Sequence, residues 1–350
     1  MFPSTGQVLL LLATFVSTAG AQEGDSKEPK GPKPATPLFA SHTPLAVRVT
    51  ADFKTIFKDR DTTEQKWFPG SLAWSAGADS GRMPVELTTR GHFRLKTGTC
   101  SFAPLRIRFP KEARAGTLFD KQGSIKLAVH CRSGNKRYEQ IVHQEYLVYR
   151  AFNALTDSSF RVRLAQASYV DSVAGTTLEA PSFFIEDADD LGGRMGMKDF
   201  DQVGATFADV DSAQAALMSV FFYLVGNTDW SLPYLHNVRV FSQMGNYFPI
   251  PYDFDWSGVV DAPYARPDYR LGTKSVRERV WRGPCYPVET LERALKRITS
   301  AKDTVYSIYR NHPGLDPKLL KDALEYYDEF FKLAADPKAW NRELRTNCNR

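Results

Sequence analysis

The sequence predicts an α+β fold in two lobes, sheet-rich to about residue 182 and helix-rich after it. Three features point there. Residues 124–130 and 182–186 read as short apolar strands in the first half. Residues 212–225 are an almost wholly apolar run, the mark of a helix buried on every side. Residues 289–300, 302–310 and 318–335 repeat apolar side chains at helical spacing. With 350 residues, 43% hydrophobic and 13% aromatic, the chain has ample material for a core. The net charge of +5 is spread along the sequence without a dense basic run, which gives no support to a nucleic-acid role.

The first segment reads as an export signal. Residues 8–16 form an apolar stretch, and Ala19-Gly20-Ala21 offers a cleavage site before Gln22. The stretch is too short to span a bilayer, and no later segment is expected to cross one. The expected organisation is a leader over 1–21, a charged Pro-rich linker over 22–45, a first lobe over 46–182 and a second over 183–350. The mature protein is then expected outside the cytoplasm, periplasmic or extracellular. Four cysteines, Cys100, Cys131, Cys285 and Cys348, all follow the leader. An even number in an oxidising compartment suggests two disulfides. Of the possible pairings, Cys100–Cys131 and Cys285–Cys348 keep each bridge within one lobe. No close ligand spacing suggests zinc.

In the first lobe, Lys126 lies inside the strand 124–130. A helix is expected over 138–155, with Ile141, Val142, Val148, Tyr149, Phe152 and Leu155 on one stripe. Glu145 falls on that stripe. A buried carboxylate requires a cationic partner, and Lys126 is the candidate, with Arg106 and Arg108 as alternative cations for a bound phosphate. Phe184 and Glu186 lie in the strand 182–186. By composition the polar, Gly-rich stretch 187–193 suits an ordinary loop; its position between the Lys126 and Glu145 elements and the apolar helix suits a hinge whose backbone groups are available to a nucleobase edge.

In the second lobe, Asp211 or Ser212 caps the apolar helix, and Gly226-Asn227 stops it. Asp229 therefore leaves the end of a rigid buried element. Two short strands, 238–241 and 247–250, flank the turn Met244-Gly245-Asn246. Asn237 precedes this hairpin and Asp253 follows it, so the hairpin draws the two together. An Asp, a downstream Asn and a second Asp are the groups that phosphoryl transfer needs. One carboxylate orients the attacking hydroxyl; the amide and the other carboxylate bind Mg²⁺ on the nucleotide. Further on, Arg277, Arg279 and Arg282 stand in the segment 275–283, suited either to an acidic substrate or to surface ion pairs.

These segments resemble protein-kinase-like enzymes, most closely the spore-coat protein H (CotH-type) kinase family. They are similar, more distantly, to HipA-type kinases, which share a Gly-Asn-x-Asp loop. The resemblance rests on Thr89-Arg90-Gly91, Leu105-Arg106-Ile107-Arg108-Phe109, Phe183-Phe184-Ile185-Glu186, the loop from Gly226 to Trp230, and Pro251-Tyr252-Asp253-Phe254-Asp255. It implies a two-lobed protein-kinase-like fold with ATP and Mg²⁺, or Mn²⁺, as cofactors. By the same resemblance Asp229 looks like the catalytic-loop Asp, Asn237 the metal-binding Asn and Asp253 the metal-binding Asp. Lys126 and Glu145 look like the phosphate-positioning ion pair. Asp255 is the rival metal ligand, facing away from Asp253 if the segment is extended.

Two departures from the family pattern stand out. Asn237 follows Asp229 by eight positions, more than in the relatives, so Ser231-Leu232-Pro233-Tyr234 must bulge. Phe254-Asp255, with no immediate Gly, follows Asp253. The expected function is an exported, ATP-dependent phosphotransferase acting on a protein or small-molecule hydroxyl. The alternatives are a kinase-fold binding or structural protein without turnover, and AMP transfer on the same scaffold.

Overall fold

Alternation in the first half builds a closed barrel rather than an open sheet. A computed structural model describes residue 1 and residues 32–348, apart from 62, 63, 78, 97 and 347. The expected leader and the start of the linker lie outside the described residues. Strands β1 (Leu45–Ala51), β2 (Phe68–Ala76), β3 (Asp79–Thr89), β4 (Leu105–Arg108), β5 (Ser124–Ala128), β6 (Val162–Asp171) and β7 (Thr177–Ile185) join in the order β1-β2-β3-β4-β5-β7-β6. In β1, Leu45, Val47, Val49 and Ala51 point inward while the residues between them face out. Both edges of β1 are used. Val47 stands opposite Trp74 in the antiparallel pair with β2 and opposite Ala167 in the parallel pair with β6. That second pairing closes the barrel and leaves it no free edge.

The linker was expected to run to residue 45, but its last part belongs to the body. Leu38 and Phe39 are buried in the barrel core. The Gln122 side chain donates to Thr36 Oγ1 at 2.8 Å, and Arg163 donates to the Leu38 carbonyl at 3.2 Å. Two apolar side chains with a place in the core outweigh the Pro-rich composition around them.

Short helices α1 (Phe53–Lys58) and α2 (Lys111–Arg114) flank the barrel. Helix α3 (Lys136–Asn153), capped by Asn135, lies against β7 and links the barrel to a second core. Strand β7 divides its aromatics between the two. Phe183 faces α3, 5.8 Å from the Tyr149 ring, whereas Phe184 faces the barrel interior, 5.7 Å from Phe119.

The polar stretch after β7 is not a hinge loop. Asp187 caps a helix, α4 (Ala188–Met195), that ends at Gly196 in the left-handed region. Then come β8 (Lys198–Phe200), the buried α5 (Ser212–Val225), β9 (Val238–Gln243) and β10 (Asn246–Pro251), the strands forming a sheet in the order β10-β9-β8. Helices α6 (Val288–Ser300), α7 (Lys302–Arg310), α8 (Pro317–Ala335) and α9 (Pro337–Asn341) complete the helical half. Asp316 and Pro317 start α8 as their order predicts.

The result is a mixed α+β fold with a sheet-rich and a helical region. Both expected disulfides are present: Cys100–Cys131, with Cα atoms 4.7 Å apart, and Cys285–Cys348, with Cα atoms 5.1 Å apart. No helix among the described residues is long and apolar enough to cross a membrane.

Candidate active site

Helix α5 delivers the first site residue. Asp211 caps its start by accepting from the Gln214 N–H at 2.7 Å. Gly226 ends it with φ +67°, where a side chain would collide with the Tyr326 hydroxyl. The buried Asn227 then accepts the Asp229 N–H through Oδ1 at 2.8 Å. Trp230 turns back and stacks on Phe222 at 4.9 Å, pinning the loop to the helix. Asp229 is thus held from both sides and keeps its carboxylate partly open to solvent.

The longer interval before Asn237 folds as a small closed turn. Ser231 and His236 exchange backbone hydrogen bonds of 2.9 Å, and Tyr234 protrudes, exposed, near the tip. The bulge required by the sequence therefore exists and returns the chain to Asp229. Asn237, at φ +54°, donates from Nδ2 to the Asp229 carbonyl at 2.6 Å and to Oδ2 at 3.2 Å. His236 Nε2 lies 3.0 Å from Asp229 Oδ1, a bond that raises the imidazole pKa above its ordinary value.

The hairpin acts as anticipated. Val238 stands opposite Pro251, and the Tyr252 N–H donates to the Asn237 carbonyl at 3.0 Å. Asp253 follows with φ +60°, a conformation that Asp tolerates better than most residues. Its N–H donates to the Tyr149 hydroxyl on α3 at 2.8 Å. Phe254 is fully buried against Tyr149, 4.8 Å away, and anchors the segment.

Asp255 corrects the expectation that it faces away from Asp253. The left-handed turn at Asp253 replaces extended backbone, and both carboxylates approach one guanidinium. Arg94 Nη2 lies 3.7 Å from Asp253 Oδ1, and Arg94 Nε lies 3.6 Å from Asp255 Oδ2. Asp255 also accepts from the Tyr264 hydroxyl at 2.8 Å. Burial, partly offset by Arg94, raises its pKa to about 6.

Lys126 and Glu145 are not an ion pair. Glu145 is buried on α3 as its stripe position implies, but Arg94 and Arg90 are the cations beside it. Burial first, and then the Asp255 charge, push its carboxyl toward the neutral form, and its Oε1 has no hydrogen-bond partner. Lys126 Nζ instead lies 5.0 Å from the centre of the Tyr252 ring. Burial and the neighbouring Arg90 lower its pKa to about 8. The segment after β3 brings two arginines under α3, and they stand where the lysine was expected.

Of the remaining expected cofactor residues, Arg106 alone lines the cleft, where it pairs with Asp187 at 3.1 Å. Arg108 leans over Trp67 and pairs with Glu86 at 2.7 Å, outside the cleft. Phe184 fills the barrel interior. Glu186 is buried in a 3.0 Å ion pair with Arg194 of α4, and its N–H is taken by the Arg161 carbonyl. With α4 in place of a loop, this edge is used for structure. Arg277 and Arg279 likewise pair with Asp322 and Glu329, each at 2.8 Å.

The cleft that results is about 540 Å³ in volume. Arg90, Arg94, Arg106 and Lys126 line it together with Asp229, Asn237, Asp253 and Asp255. Gly91 lines it too, at φ +91°, with open space where a side chain would go. Arg94, Tyr149 and His236 were not anticipated as site residues. A polar side chain inside an aromatic stripe was the available signal for Tyr149. Nothing local marks Arg94, which acts through residues distant in sequence. Among the described residues no three His, Cys, Asp or Glu side chains form a metal cluster. The oxygen donors suited to a hard cation are the Asp253 carboxylate and the Asn237 amide carbonyl. The Asn237 bonds to Asp229 run through Nδ2 and leave Oδ1 for that use.

No protein-family model matches the sequence, and no curated protein does. Among solved structures, the crystal structure of a Helicobacter pylori proinflammatory kinase, CtkA, is similar at a TM-score of 0.39 and 12% identity. That alignment covers 66% of this chain and 88% of the other.

Proposed function

We propose that this chain is an exported, kinase-like phosphotransferase that moves the γ-phosphate of ATP to a hydroxyl acceptor. The observation that carries the reading is the convergence of Asp229, Asn237 and Asp253 on one cleft lined by cations. Three segments, the end of a buried helix and the two flanks of a hairpin, meet there in the order phosphoryl transfer requires. The motif resemblance to CotH-type kinases supports the same reading. The sequence features of the leader and the two disulfides support export.

In the proposed reaction the acceptor O–H gives its proton to the Asp229 carboxylate. The acceptor oxygen forms a bond to the γ-phosphorus. The bond from that phosphorus to the bridging oxygen breaks, and ADP leaves with the electron pair. His236 and Asn237 hold the Asp229 carboxylate in place through the 3.0 Å and 3.2 Å contacts. Lys126, Arg90 and Arg106 offer positive charge to the phosphates. Mg²⁺ or Mn²⁺, held by Asp253 and the Asn237 carbonyl oxygen, would supply charge neutralisation at the β- and γ-phosphate oxygens.

One observation favours a second reading. Arg94 lies near both Asp253 and Asp255, and Lys126 does not meet Glu145. A guanidinium beside the candidate metal carboxylates suits a nucleotide-binding protein without turnover. The mature chain, incubated with ATP and Mg²⁺ or Mn²⁺, separates the two. Transfer predicts a metal-dependent rise in Tm and a phosphorylated species by mass spectrometry. An AMP adduct would assign nucleotidyl transfer instead. A rise in Tm without any product would leave the binding protein, and no rise at all would remove both readings.

A further inference from the structure

Asp229 borders two cavities. One is the cleft described above. The other, about 600 Å³, shares Asp229, His236 and Trp256 with it as lining. Its volume is in the range of small-ligand sites. The closed turn 231–236, the part of the loop longer than in the resembling family, forms one wall and presents Tyr234. Trp256 forms another.

The charge in this second cavity is unbalanced. Arg270 and Asp268 neutralise one another at 2.6 Å. Arg266 donates only to the main-chain carbonyls of Pro263 and Ala265, both at 3.0 Å. Arg282 is held by the carbonyls of Thr228 and, at 2.7 Å, Trp230. Carbonyl oxygens orient a guanidinium without cancelling its charge. Arg266 and Arg282 therefore face this space with no carboxylate at ion-pair distance among the described residues, Asp268 and Asp229 acting on Arg282 only from farther away, and three arginines stand against two aspartates in the lining.

We propose that the second cavity is the acceptor subsite, and that it selects a hydroxyl compound carrying a carboxylate or phosphate close to the hydroxyl. The anionic group meets Arg266 and Arg282, which places the neighbouring hydroxyl at Asp229, where the two cavities join. This rests on the phosphotransferase reading for the role of Asp229. The same chemistry serves a serine flanked by acidic side chains and a free hydroxy acid, because both pair a hydroxyl with a nearby carboxylate. Arg282 also braces the catalytic loop, so selection and loop geometry are coupled through one side chain.

The test measures equilibrium binding to the full chain of three probes: a short peptide with serine flanked by glutamates, the same peptide with glutamines, and malate. The acidic peptide, malate or both should bind, with the glutamine peptide weaker. Arg266→Gln, on an exposed side chain that ties only its own turn, should weaken the anionic probe by roughly three- to tenfold. Its ATP- and metal-dependent rise in Tm should match that of wild type. Arg282→Gln should weaken binding further, and Arg282→Lys should restore part of it. Binding of malate alone would assign a small acceptor, and binding of the peptide alone a protein one; both support the subsite. Equal affinity for the glutamate and glutamine peptides, no binding of malate, and no effect of Arg266→Gln would overturn it. Arginine-dependent binding in a chain that shows no nucleotide-dependent stabilisation would overturn the acceptor role together with the phosphotransferase reading.

Discussion

The Asn237 amide closes on Asp229 across eight residues of sequence, donating to its carbonyl at 2.6 Å and to its carboxylate at 3.2 Å. One side chain thus couples the loop after α5 to the β9–β10 hairpin. The turn between them, tied at Ser231 and His236, takes up the extra length. Ser231, Tyr234 and His236 of that turn line the second cavity.

The roles proposed for Asp229 and Asp253 are separable by substitution. Asp229→Asn should leave the ATP- and metal-dependent rise in Tm in place while transfer falls by roughly 10²–10⁴-fold, the usual loss of general-base help. Asp253→Asn should abolish both. Asn is the right replacement at 253 because it tolerates the φ of +60°, whereas Ala would add backbone strain. Equal loss of nucleotide binding in the two variants would contradict this division.

Arg94 and Glu145 should respond unequally to substitution. Arg94 is the cation shared by Asp253 and Asp255, with Glu145 nearby. Arg94→Met strands the buried Asp255 carboxylate, Asp253 being partly exposed, and should destabilise the chain by roughly 3 kcal/mol. Glu145→Gln resembles the neutral carboxyl that burial already favours and should change stability by less than about 1 kcal/mol. Urea unfolding of both variants at neutral pH measures the contrast. A large loss in Glu145→Gln would mean that the carboxylate is ionised and paired.

His143 and His312 should make the protein sensitive to acid. Their rings meet at 2.8 Å between Nε2 of His312 and Nδ1 of His143, and burial lowers both to about 4. The folded chain therefore resists protonation that the unfolded chain accepts at about 6.5. The contribution is full above pH 6.5 and is lost as pH falls toward 4, by at most about 2.7 kcal/mol per pH unit for the pair. Asp190 and Asp255, raised to about 6, act in the opposite sense over the same window. The comparison must accordingly be between wild type and His143→Gln/His312→Gln, whose stability difference should shrink steadily from pH 7 to pH 4.

The disulfides should each contribute substantially. Cys100–Cys131 and Cys285–Cys348 close loops with sequence separations of 31 and 63. Restricting the unfolded chain over such lengths stabilises by roughly 4 kcal/mol per bridge in the chain-entropy model. Reduction should lower Tm in two resolvable steps if the bridges differ in access. Non-reducing peptide mapping checks the pairing directly.

Much of the second half was legible because its signals are local. The apolar run 212–225, the stop at Gly226, the hairpin around Met244 to Asn246 and the cap at Asp316 all depend on neighbours a few residues apart. Asp187 to Gly193 has the polar, Gly-rich composition of a loop, and that composition hides a helix. Asp187 nonetheless caps α4, and Arg194 on that helix satisfies the buried Glu186. Leu38 and Phe39 were submerged in a Pro-rich average, although two side chains are enough to join a core.

By itself the sequence determined the α+β character, the burial of Glu145 and the approach of Asn237 and Asp253 through their hairpin. Each follows from periodicity, capping or spacing within one stretch of chain. The pairing of the four cysteines it only favoured, and the structure fixed it. Tertiary structure alone decided that β1 pairs with β6 to close the barrel. It also decided that Arg94 rather than Lys126 stands near Glu145 and the two aspartates, and that Asp229 faces two cavities. Those outcomes depend on which distant segments meet. A buried carboxylate announces that it needs a cation, but it does not say which one: every arginine and lysine within reach is chemically eligible, and only the packing of β3, α3 and the β10 loop selects among them.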